Sequence, residues 1–82
     1  MDKEKTIVSE FAQKMLEKIT ERHNRYQPLG WKTMDVKRLI TLMKGEIEEM
    51  EESLSANDLT NAKKEAVDIA NYAMFLHEVI HG

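Results

Sequence analysis

Residues 63–76 read KKEAVDIANYAMFL, and this stretch decides the fold. Ala66, Val67, Ile69, Ala70, Tyr72, Ala73, Phe75 and Leu76 put apolar side chains on most sides of a helix. A helix apolar over more than half its circumference is buried on more than one side. Two acids, Glu65 and Asp68, stand three residues apart in the middle of it. The helix needs neighbours, and the acids need partners.

Working outward, this third helix is expected from about residue 58 to 80, with Leu59, Ala62, Ala66, Ile69, Ala73, Leu76 and Ile80 as its stripe. The preceding SAND, residues 55–58, is rich in residues that begin helices. A second helix ends there. It starts after Asp35, a suitable N-cap, and its stripe is Val36, Ile40, Met43, Ile47, Met50 and Leu54. Further back, NRYQPLGW at residues 24–31 is broken by Pro28 and Gly30, because the residue before a proline avoids the helical region. The first helix occupies about residues 2 to 23, with Ile7, Val8, Phe11, Met15, Leu16 and Ile19 as its stripe. Stripe residues alternating four and three apart suit antiparallel helices crossing at a shallow angle. The expectation is a single all-α domain over residues 1–82, a three-helix antiparallel bundle. Three helices can hardly cover the third one, so the core is completed by oligomerising, as a four-helix-type dimer core in a homodimer or homotetramer.

Composition narrows the function. The 82 residues contain one Pro and no Cys, and the net charge is −3. No disulfide can staple a domain that buries only roughly 60 to 65 % of the surface its unfolded chain exposes. The start, MDKEKT, is charged and no apolar segment follows it, so a cytoplasmic location is expected. The small negative charge argues against binding a nucleic-acid polymer, and no apolar run is long enough to span a membrane.

The acids sort by angle. Counting from Leu59 at about 100° per residue, Glu65 falls at about 240° and Asp68 at about 180°, beside Tyr72 at about 220°. Burying an unpaired carboxylate costs several kcal/mol, so each needs a cation, a proton or a metal. On the second helix the run GEIEEMEE, residues 45–52, divides. Counting from Val36, Glu48, Glu51 and Glu52 fall at about 120°, 60° and 160°, on the wet face. Glu46 and Glu49 fall at about 280° and 220°, on the side of Leu42. The result is two pairs, Glu46/Glu49 and Glu65/Asp68, each one helical turn apart on one face. Packed antiparallel, the two helices bring four carboxylates together, and oxygen-only ligands favour Mg²⁺ or Mn²⁺. The rival is a structural network in which Glu65 and Asp68 pair with Lys14, Lys18 or Arg22 of the first helix. Glu78 and His81 form one Glu-x-x-His, but di-iron bundles need that motif on two helices.

GEIEEMEESL followed by KKEAVDIANYAMFL resembles the MazG-like all-α nucleoside triphosphate pyrophosphohydrolases, over roughly residues 22 to 80. That family carries Glu-Glu-x-x-Glu on one helix and Glu-x-x-Asp on a later one. Here the last two acids of the first motif are Glu46 and Glu49, and the second motif is Glu65 and Asp68. Gly45 stands where the family has its first glutamate. The resemblance implies that these four acids are catalytic metal ligands for Mg²⁺. It also implies that water attacks the α-phosphorus of a nucleotide substrate, releasing monophosphate and pyrophosphate. Residues of a neighbouring subunit complete the site in this family.

For the base, the candidates are Trp31, whose ring can stack, and Asn71, whose amide can read a sugar or base edge. Trp31 serves equally as a plug over the helix ends, and Asn71 as a contact between helices. Tyr72 shares the acidic face, where it can hydrogen-bond a carboxylate or phosphate or serve simply as a core aromatic. For the phosphate tail, Arg25 and Lys32 stand out, with Arg22, Lys37 and Arg38 near them. The contrasting reading is a non-catalytic helical dimerisation or regulatory module, its acids tied up in salt bridges.

Overall fold

The structure, a computed structural model, describes residues 1–22 and 30–80, without the Arg22 side chain. Among these residues it is all-helical: α1 (Asp2–Arg22), a short 3₁₀ turn (Gly30–Thr33), α2 (Val36–Ser55) and α3 (Leu59–Val79). The expected helices are all present, with ends within two residues of expectation. No helix among the described residues is long and apolar enough to cross a membrane.

The tightest piece of local structure is the turn between α2 and α3. Asn57 takes the left-handed conformation, φ 58°. Asp58 N–H donates to Ser53 O at 2.8 Å, and Asn57 N–H to Leu54 O at 3.1 Å. This pair of bonds is a Schellman motif, which satisfies the last carbonyls of α2. Asp58 then caps α3, its Oδ1 accepting from Asn61 N–H at 3.1 Å. Asp35 occupies the N-cap position of α2 with extended backbone but makes no side-chain capping bond. The short turn folds α2 and α3 into an antiparallel hairpin. Ser53, at the end of α2, meets Glu65 near the start of α3, and Trp31, just ahead of α2, stacks on Phe75 near the end of α3.

The core lies in this hairpin. Leu39 is fully buried, with Tyr72 and Phe75 against it, and Ile19, Trp31, Met34, Leu42 and Met43 pack around them. Burying a leucine side chain stabilises by about 1.5–3 kcal/mol. Trp31 lies flat on Phe75, ring centres 4.5 Å apart, and Tyr72 meets Phe75 edge-on at 6.0 Å. Each such aromatic pair adds about 0.5–1.5 kcal/mol beyond its burial.

The faces are rotated from the expected stripes. On α2 the side turned to α3 carries Leu39, Leu42, Glu46 and Ser53, centred at about 280° from Val36. The expected stripe lies about 70° further round, and Ile40, Ile47 and Leu54 on it are exposed. On α3 the buried residues include Glu65, Asp68, Tyr72 and Phe75, whereas Leu59, Ala73 and Ile80 of its expected stripe are exposed. Rotation in the same sense on two antiparallel helices leads to the same side of the pair. The uncovered stripes of α2 and α3 therefore form one continuous apolar face on the hairpin.

The α1 helix packs on the opposite side. Its backbone runs close to α3 alone: no Cα of α1 comes within 8 Å of one in α2. Met15, Lys18 and Ile19 are half-buried there, but Ile7, Val8, Phe11 and Leu16 are exposed. The stripe expected to bury α1 is thus covered only towards its C-terminal end.

Candidate functional site

The acids follow the hairpin. Glu65 and Asp68 are 8 % and 7 % exposed, among the most buried side chains of the protein. Glu46 is half-buried on the α2 side of the seam, and Glu49 is exposed at its rim. Glu49 and Asp68 are both rotated away from the uncovered apolar face, towards the side where α1 lies. The paired acids of α2 and α3 thus stand at different depths, Glu65 and Asp68 buried, Glu46 half-buried and Glu49 exposed.

Each buried acid has its own partners. Ser53 Oγ donates to Glu65 Oε1 at 2.8 Å. Asn61 Nδ2 donates to Ser53 Oγ at 2.9 Å and to Glu65 Oε2 at 3.4 Å. Asp68 faces α1, where Lys18 Nζ stands 3.8 Å from its Oδ2. Glu65 is therefore turned to α2 and Asp68 to α1, and the pair is split between two neighbours. Among the described residues no three His, Asp or Glu side chains stand close enough together to hold one ion. The donor chemistry suits a hard divalent cation: every candidate ligand is a carboxylate, and the two innermost are held out of bulk water.

The other expected residues are placed as follows. Asn71 is 2 % exposed, inside the α1–α3 interface. Its Nδ2 donates to Met15 O at 3.3 Å, tying the two helices together. A carbonyl only accepts, so this bond fixes which end of the amide is which. Oδ1 is buried with no hydrogen-bond partner among the described residues. Tyr72 is buried between the acids and Phe75 on α3. Trp31 is half-buried with its ring spent on Phe75, in the arrangement expected of a plug over the helix ends. Lys32 is exposed in the 3₁₀ turn, and Lys37 and Arg38 are exposed at the start of α2. Arg25 and the Arg22 side chain lie outside the described residues.

A groove of about 590 Å³ runs between α1 and α3. Phe11 and Val67 contribute apolar surface, and Lys14, Lys18, Lys63 and Lys64 line it together with Glu17 and Glu21. Lys18 joins this groove to Asp68.

Sequence reasoning passed over Ser53 and Asn61. A signal for each was present. Ser53 falls at about 260° on α2, next to Glu46 at about 280°. Asn61 stands one helical turn before Glu65, a spacing at which side chains meet. Comparison of the chain with protein-family models, with curated proteins and with solved structures returns no match.

Proposed function

We propose that the chain is an Mg²⁺-dependent nucleotide pyrophosphohydrolase, also served by Mn²⁺, that cleaves (deoxy)nucleoside triphosphates to monophosphate and pyrophosphate. One observation carries the reading: two carboxylates one turn apart, Glu65 and Asp68, are buried in the central helix of a domain with very little core to spare. Such a placement costs several kcal/mol unless each charge is paired or hydrogen-bonded, as Asp68 is with Lys18 and Glu65 with Ser53 and Asn61. Two further acids on the facing helix and the motif order Glu46, Glu49, Glu65, Asp68 support the same reading.

These four acids would hold the cation, with Glu65 and Asp68 as the inner ligands and Glu46 and Glu49 drawn in from the α2 side. When bound, the cation neutralises phosphate charge and lowers the pKa of a bound water. Lys14, Lys18, Lys63 and Lys64 offer charge for the polyphosphate along the groove between α1 and α3. The chain works as a homo-oligomer. Its second copy covers the apolar face of the hairpin, where Ile40, Ile47, Leu54, Leu59 and Ile80 stand exposed. A contiguous apolar face of this kind marks an interaction site.

The Lys18–Asp68 ion pair and the Ser53–Asn61–Glu65 hydrogen bonds favour a second reading, a dimerisation module whose acids are structural. Incubation with a panel of nucleoside triphosphates and Mg²⁺ separates the two. The enzyme reading expects pyrophosphate release that Asp68→Asn and Glu49→Gln reduce at least about a hundredfold, with helical content retained. No release from any nucleotide, with Mg²⁺ or Mn²⁺, leaves the structural module.

A further inference from the structure

We infer that the apolar stripe on the first half of α1 is a second self-contact of the chain. It pairs with the same stripe of another copy about a two-fold axis and joins two hairpin dimers into a tetramer; this rests on the hairpin dimer proposed above. The stripe is continuous. Counting from Ile7, Phe11, Met15, Val8 and Ile19 fall at about 40°, 80°, 100° and 120°, on one face of α1. Met15 and Ile19 are half-buried on α3, whereas Ile7 and Val8 are 62 % and 66 % exposed and Phe11 36 %. Register is the cause. Asn71 donates to the Met15 carbonyl and Lys18 reaches Asp68, so α1 runs antiparallel to α3. Ile7 then stands about level with Val79, where α3 ends. The face that holds α1 to α3 carries on where α3 no longer covers it.

Three observations assign the cover to other copies of the chain. First, none of the described α1 side chains is buried, although helices draw most of their stability from packing. Second, the chain exposes 6604 Å² of surface, where a folded monomer of its 9.6 kDa exposes about 5100 Å². The excess is larger than the about 800 Å² that a standard interface takes from each partner. The hairpin face lies on the side away from α1, so a copy seated there leaves the stripe uncovered. Third, the stripe is complementary to itself. Turned antiparallel about a two-fold near Ser9, Ile7 meets Phe11 of the other copy. Glu4, at about 60° on the same face, meets Lys14 of the other copy. Two different two-fold contacts on one chain build a closed tetramer. A single α1 pair engages few apolar side chains, too few for a stable interface alone. Two hairpin dimers meet at two such pairs, and the second forms within an assembly already joined by the first.

The test is sedimentation of wild type, Ile7→Glu and Phe11→Glu, with helical content measured for each. Wild type is expected at four times 9.6 kDa and both variants at two, with helical content unchanged. The chain has no cysteine, so one introduced thiol reports the contact directly. Val8→Cys, beside the proposed axis, is expected to form disulfide-linked pairs under mild oxidation. Gln13→Cys, on the opposite face of α1, is not. Wild type and both variants together at two would overturn the α1 contact and leave the hairpin dimer standing. Variants that stay at four, or fall to one, would overturn it as well, and so would equal cross-linking at the two cysteine positions. Wild type at one would overturn the α1 contact and the hairpin dimer together.

Discussion

Asn57 shows how much one residue of this small domain controls. Its left-handed backbone lets α2 stop and α3 start within three residues, and the resulting bonds hold Ser53 and Asn61 against Glu65. Most L-residues are strained in that conformation by about 1–2 kcal/mol, and only glycine, asparagine and aspartate visit it readily. Asn57→Ala is expected to lower stability by about 1 kcal/mol, a fall in melting temperature of about 4–8 °C in a domain of this size. Asn57→Gly is expected to cause no such loss. Equal melting temperatures for wild type and Asn57→Ala would mean that the turn carries no strain. The same residue marks a limit of the sequence. SAND announced a break, but nothing in its four letters says which residue turns left-handed or that Ser53 will lie under Glu65. That pairing forms only once two helices are folded back on each other.

The helices were legible because their signals are local. Asp35 and Asp58 sit at helix starts, Gly30 opens the short turn ahead of α2, and the apolar spacing of α2 and α3 is regular. The rotation of each helix about its axis was not legible. Sequence marks which side of a helix is apolar, and it is blind to which neighbour that side faces. Ile40, Ile47 and Leu54 were expected to meet α3, yet Leu39, Leu42, Glu46 and Ser53 do so. The more regular stripe stays uncovered beside Leu59 and Ile80 of α3. In the proposed homo-oligomer that face meets a second copy of the chain. A glutamate at its centre would have to be desolvated to keep the contact. Wild type is expected to sediment at two or four times the 9.6 kDa of one chain, and Ile47→Glu at one. Wild type sedimenting at 9.6 kDa would rule out the oligomer.

The hairpin of α2 and α3, with α1 packed against it, has two unlike sides. One side is apolar and uncovered. The other carries Glu49, Asp68 and the packed end of α1, with the lysine-lined groove alongside. The acids sit at the seam between these sides. Their spacing of one turn on each helix was legible in the sequence; the gathering of all four is not seen, since no three stand together among the described residues. Their separation was legible in part: Lys18 was among the expected partners and stands at Asp68, whereas the hold of Ser53 on Glu65 arises only once α2 and α3 are folded back on each other. Lys18 occupies the charge partnership that a cation would take at Asp68, so binding Mg²⁺ requires displacing or supplementing it. The most direct test of a cation held by these acids is therefore the melting temperature of wild type and Asp68→Asn, each with Mg²⁺ and with NaCl of equal ionic strength. A ligand that binds only the folded state stabilises it by about 2.7 kcal/mol at a hundred times its dissociation constant. Wild type is expected to melt several degrees higher in Mg²⁺ than in NaCl, and Asp68→Asn to show no difference. Identical melting temperatures for wild type in the two salts would contradict cation binding at this seam.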